Sequence, residues 1–78
     1  MEKDALVRAK VQEIDVFLAY ERFSDVERLI EVAFDQYPDA PSIQLKQLEL
    51  YHLKGEPERF FNVLHALENN PAAQGYLI

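Results

Sequence analysis

The chain is predicted to be all-α, built as two helical hairpins in sequence, and three observations lead there. Apolar residues recur at three- and four-residue spacing nearly throughout, which is the period of a helix with one buried face. Turn-forming residues interrupt that spacing only briefly, so the connections are short and successive helices must run antiparallel. The pattern then repeats itself after 34 residues.

The first helix is expected near residues 4–20, with Val7, Val11, Ile14 and Leu18 on one stripe and Phe17 beside it. The second is expected near 24–37, carrying Val26, Leu29, Ile30, Ala33 and Tyr37. Ser24 followed by Glu27 has the spacing of a capping box, in which the hydroxyl accepts from one amide while the carboxylate reaches back to another. Pro38 disfavours helical geometry at Tyr37 and so ends this helix. The third is expected near 41–54, with Asp39 as its cap and Pro41 in its first turn, where no amide partner is lost. Its apolar positions are Ile43, Leu45, Leu48, Tyr51 and Leu53. Gly55 closes it with a left-handed residue, and Pro57 opens the fourth, expected near 57–69 with Phe60, Phe61, Leu64 and Leu67. Phe60 and Phe61 are both read as core, Phe61 against the apolar tail Tyr76–Leu77–Ile78; the alternative is an exposed aromatic at a docking surface. Phe61 and that tail are also the expected capping or dimer-forming surface.

Seventy-eight residues allow one small domain, 1–78, with repeat one about 7–40 and repeat two about 41–74. A hydrophobic content of 49% is enough for a core and argues against disorder. The absence of Cys excludes disulfides and thiolate metal sites. A net charge of −6 without a basic cluster argues against nucleic acid and against an anionic membrane surface. The apolar runs are too short to span a bilayer, and Met1, Glu2, Lys3 and Asp4 do not open a signal peptide. Glu49 and His52 have a metal-site spacing, but a di-metal bundle needs two such pairs and further carboxylates, so they are read as polar groups of a solvated helix face. Ser24 and Ser42 stand on no nucleophile elbow, and there is no glycine-rich phosphate loop. No enzyme, no cofactor and no metal are expected.

Under the 34-residue shift Phe17 falls on Tyr51, Ile14 on Leu48, Val26 on Phe60, Ile30 on Leu64 and Ala33 on Leu67. Ten of the 23 positions from Val11 to Ala33 pair apolar with apolar, against about six expected by chance at this composition. Thirty-four residues is the tetratricopeptide period, and the chain resembles that family at marked places. These are the aromatics Phe17 and Tyr51, the turn residue Gly55, Phe23 after the first turn, Ala33 in the second helix and Pro38 after it. It departs from the family at Lys10 and Gln44, where a Trp is usual, at Ile14, Leu48, Val26 and Phe60, where small residues pack, and at Glu21 in place of a turn glycine. The stretch Glu13 to Phe61, above all "DVFLAYERF" and "LKQLELYHLKGEPERF", is more narrowly similar to the cytoplasmic C-terminal repeat region of FimV-type proteins. That resemblance implies a cytoplasmic protein-binding module, part of an inner-membrane hub protein associated with type IV pilus assembly and cell-pole organisation.

In a tetratricopeptide stack the first helix of each repeat lines the concave face. The resemblance therefore points to Arg8, Gln12 and Asp15 on one helix and Lys46, Glu49 and His52 on the other, with Val11 and Leu45 as an apolar floor. Asp15 and Glu49 are equivalent under the shift, which sets two carboxylates on neighbouring helices to receive a basic or amide-rich segment of another protein. The alternative reading is a structural segment of a larger chain that oligomerises through its own apolar faces.

Overall fold

The computed structural model describes residues 2–38 and 40–76, and the side chains of 5–38 and 40–73. Among these residues the chain forms α1 (Glu2–Ala19), α2 (Phe23–Gln36), α3 (Pro41–Lys54) and α4 (Pro57–Glu68), followed by a 3-10 helix (Pro71–Tyr76). The four helices lie within two residues of their expected bounds. The 3-10 helix was not expected, because no apolar periodicity marks six residues of "PAAQGY".

The two interhelical turns share one hydrogen-bond geometry. In the first, Arg22 N–H donates to the Phe17 carbonyl at 2.9 Å and Glu21 N–H to Leu18 at 3.0 Å. In the second, Glu56 N–H donates to Tyr51 at 2.9 Å and Gly55 N–H to His52 at 3.2 Å. Each donor and acceptor in one turn is the 34-residue equivalent of its counterpart, and both turns form the Schellman motif that ends a helix on a left-handed residue. Gly55 takes that conformation at φ 71°, as expected, and Glu21 takes it at φ 56° without glycine's freedom.

The helix starts differ from expectation. At α2 the capping position is Arg22, with no side-chain cap, and the Glu27 carboxylate turns away to Lys54. Arg22 instead pairs with Asp25 at 2.8 Å across the first turn. At α3 the capping residue is Ala40, again with no side-chain cap, while Pro41 stands in the first turn as read; Asp39 lies outside the described residues. In both cases the capping residue's carbonyl accepts the first i→i−4 bond of the helix, from Val26 N–H at Arg22 and from Gln44 N–H at Ala40, at 3.1 Å each, and Ile43 N–H also donates to Ala40 at 3.1 Å.

α1 pairs with α2 and α3 with α4, giving the two hairpins, and α3 also packs on both α1 and α2. The core sits at that junction. Ile14, Leu18, Val26, Ile30, Ala33, Ile43 and Leu50 are buried there, with Val7, Val11, Phe17, Phe34 and Tyr51 packed around them. Burying side chains the size of Ile14, Ile43 and Leu50 stabilises by about 1.5–3 kcal/mol each. The radius of gyration, 12.0 Å, is close to the roughly 11.5 Å of a compact chain this long, so the hairpins are stacked on each other and not strung out.

α4 packs on α3 and on the 3-10 helix, not on α1 or α2, among the described residues. Asn70 donates to the Gln44 side-chain oxygen at 2.8 Å in the interior, and Ala73 is fully buried, which ties the 3-10 helix to the start of α3 and the end of α4. The two phenylalanines part company. Phe60 is half-buried, whereas Phe61 is 56% exposed, with its ring edge-on to Phe60 at 5.5 Å. Adjacent helical residues differ by about 100° in direction, so one buried stripe holds only one of them. The side chains of Tyr76, Leu77 and Ile78, expected to cover Phe61, lie outside the described residues.

Candidate functional site

α1 and α3 run parallel and pack side by side, so their outward faces form one surface. The central feature of that surface is Lys46. Its ammonium stands 2.5 Å from Asp15 Oδ1 on α1 and 3.1 Å from Glu49 Oε2, one turn along its own helix. Asp15 and Glu49 are therefore brought together as expected, but around a cation that neutralises one of their two charges. Burial pulls the Lys46 pKa down, yet the hydrogen bonds and charge of Asp15 and Glu49 outweigh it and leave the pKa above the ordinary lysine value. Lys46 is charged at neutral pH and holds both carboxylates in place.

The other expected residues divide. Arg8 and Gln12 are exposed on α1, and Leu45 is exposed on α3. Val11 is half-buried and packs against the core, so most of its surface is used within the fold. His52 is exposed, but its ring lies 6.4 Å from that of Phe60, away from Asp15 and towards α4. Glu49 and His52 thus have different neighbours, a lysine and a phenylalanine. Among the described residues no group of three or more His, Cys, Asp or Glu could hold a metal ion.

His52 belongs to a cleft of about 290 Å3 at the α3–α4 turn, lined by Tyr51, Gly55, Glu56, Pro57, Phe60 and Phe61 as well. The Arg59 guanidinium lies over the Tyr51 ring, 5.8 Å from its centre. The signal for this cleft was present in the sequence as a Gly-Glu-Pro turn flanked by aromatics, but aromatics at helical spacing read equally as core. A second ion cluster adjoins this cleft and shares Glu56 with it. Lys54 Nζ lies 2.5 Å from Glu27 on α2 and 3.0 Å from Glu56, and these two carboxylates, Glu27 above all, raise its pKa.

No helix of the described residues is long and apolar enough to cross a membrane. No family model matches the chain, and comparison with curated proteins and with solved structures found no match.

Proposed function

We propose that this chain is a non-catalytic protein-binding module that receives a basic or amide-rich segment of another protein on the α1–α3 face. The observation that carries this reading is the cluster of Asp15, Lys46 and Glu49. Two carboxylates offer about four acceptor sites each, more than one ammonium with three donors can occupy. Lys46 fixes both of them before any partner arrives, which lowers the ordering cost of binding. Leu45 beside them is exposed and supplies apolar contact, with Arg8, Gln12 and His52 at the margins. The resemblance to FimV-type proteins supports a scaffold role in type IV pilus assembly or cell-pole organisation, and a cytoplasmic place within an inner-membrane protein.

Isotope-labelled chain is titrated with a short amphipathic peptide rich in Lys and Gln, and with its counterpart bearing Glu for Lys. The basic peptide is expected to move the backbone resonances of Asp15, Leu45 and Glu49, and the acidic one to leave them in place. Asp15→Asn with Glu49→Gln should weaken binding about tenfold or more while circular dichroism stays unchanged. Reversing both charges is a poorer perturbation, because three ammonium groups would then meet at Lys46. Equal binding by the neutralised variant, or shifts confined to Phe60 and Phe61, would defeat this reading.

A further inference from the structure

The 34-residue equivalence relates residues, and it also relates surfaces. Within the chain, α3 docks on the α1–α2 hairpin, and each contact of that interface has a counterpart at the two ends of the molecule. The ion pair Lys54–Glu27 joins α3 to α2. Its equivalents are Tyr20, at the end of α1, and Phe61, on α4; they are 75% and 56% exposed. Leu50, which α3 inserts into the core at 1% exposure, corresponds to Val16, which is 55% exposed on α1. The pair Lys46–Asp15 corresponds to Gln12 and Glu49, an amide donor and a carboxylate acceptor.

The receiving side shows the same incompleteness. On the first hairpin, α3 covers Ile14, Leu18, Val26 and Ile30, all of them buried. Their equivalents on the second hairpin are Leu48, His52, Phe60 and Leu64, none of them buried. Leu67, the equivalent of Ala33, is buried, and it lies at the end of α4 from which the 3-10 helix with Ala73 follows. The half of the α3–α4 face near the turn is left open as the aromatic cleft.

We propose that this chain self-associates head to tail, the second half of α1 in one copy docking on the open α3–α4 edge of the next as α3 docks on α1–α2 within the chain. A second copy is the occupant because both halves of the repeated interface stand on this one chain and match each other in kind. Where the internal junction places a cation against a carboxylate, the two free ends carry a tyrosine and a phenylalanine. Aromatic pairs of this kind hold together without charge, which suits molecules that each carry a net charge of −6. Two shifts of 34 set residue 7 on residue 75, within the 3-10 helix, so only the second half of α1 is seated and the contact is small. Small interfaces bind weakly. The contact joins unlike surfaces, so growth is open-ended and does not stop at a dimer. Gln12, Glu49 and His52 belong to both surfaces, but Tyr20, Val16 and Phe61 are outside the groove around Lys46, so loss of association in their variants is distinct from loss of peptide binding there.

The test is sedimentation equilibrium of the full chain from about 10 μM to about 1 mM, near physiological salt. The weight-average mass is expected to rise with concentration and to pass that of a dimer. Tyr20→Lys and Phe61→Glu should each weaken association about tenfold or more, with unchanged circular dichroism because both side chains are exposed. An equimolar mixture of the two variants should associate more strongly than either alone, since it recreates between chains the Lys–Glu pair used within the chain. Val16→Asp supplies an independent variant on the same half of α1. A single-chain mass throughout the range, growth that halts at a dimer sensitive to Phe61 but not to Tyr20, or no recovery on mixing would each overturn the proposal.

Discussion

Glu21 and Gly55 occupy the same place in two turns of the same hydrogen-bond geometry, and only one of them is a glycine. Exchanging the residue types should therefore change stability with opposite signs. A residue with a Cβ at left-handed φ costs about 1–2 kcal/mol. A glycine in its place costs about 0.4–1 kcal/mol through the greater freedom of the unfolded chain. Glu21 is exposed and ends a helix, so little packing is lost with its side chain. Glu21→Gly should then stabilise by about 0.5–1 kcal/mol. At Gly55 an added Cβ meets nothing within 4 Å, so no collision contributes and only the backbone term acts. Gly55→Ala should destabilise by about 0.5–1 kcal/mol. For a domain of this size each kcal/mol moves the melting temperature by about 4–8 °C. Urea and thermal melts followed by circular dichroism would resolve both, and the double variant should return close to the starting value because the two turns share no partner. Lower stability in Glu21→Gly, or unchanged stability in Gly55→Ala, would show that left-handed strain does not set the difference between the two turns.

Two further outcomes follow from the packing. Leu50→Ala removes a fully buried side chain at the meeting of three helices and should cost about 2–5 kcal/mol, whereas its repeat equivalent Val16→Ala should stay within about 0.5 kcal/mol at concentrations where the chain is single; urea melts of the two variants side by side make the comparison, and equal losses would refute the assignment of the core. Lys54→Met should cost about 0.5–1 kcal/mol at neutral pH, modest because Lys54, Glu27 and Glu56 are all partly exposed. Its pKa is raised by Glu27 and Glu56, so the stability it contributes is fully present below the ordinary lysine value of 10.5 and is lost as pH rises through the raised value. Urea melts should show the gap between wild type and variant closing only above that range; a gap that persists there would assign the loss to packing.

Much of the architecture follows from chain-local chemistry. The helix period, Pro41 and Pro57 in first turns and Gly55 at a helix end act over four or five residues, and each stands in the structure where that chemistry puts it. Glu21 stood out along the chain only as a departure from the turn glycine at the position of Gly55; its left-handed φ of 56° is a finding of the structure. Local patterns misled where a side chain had a choice of partners. Ser24 and Glu27 have a capping-box spacing, but the Glu27 carboxylate pairs with a lysine on another helix and not with the Ser24 amide. Asp15 and Glu49 were rightly placed on neighbouring helices, while the lysine that joins them was not foreseen, because a salt bridge between residues 31 apart depends on how two helices are set against each other.

Two helical hairpins can be read along the chain, because periodicity and turn residues act through the backbone next to them. Which repeated positions are interior and which are surface is set by packing between the helices. Leu50 and Val16, or Val26 and Phe60, are alike to any rule read along the chain. They differ because α3 has a hairpin on one side of it and α1 does not, and because the 3-10 helix shields one end of α4 and leaves the end with Phe61 open. Burial is a property of what stands opposite a residue, and in a repeat that neighbour is supplied by the next unit of the stack.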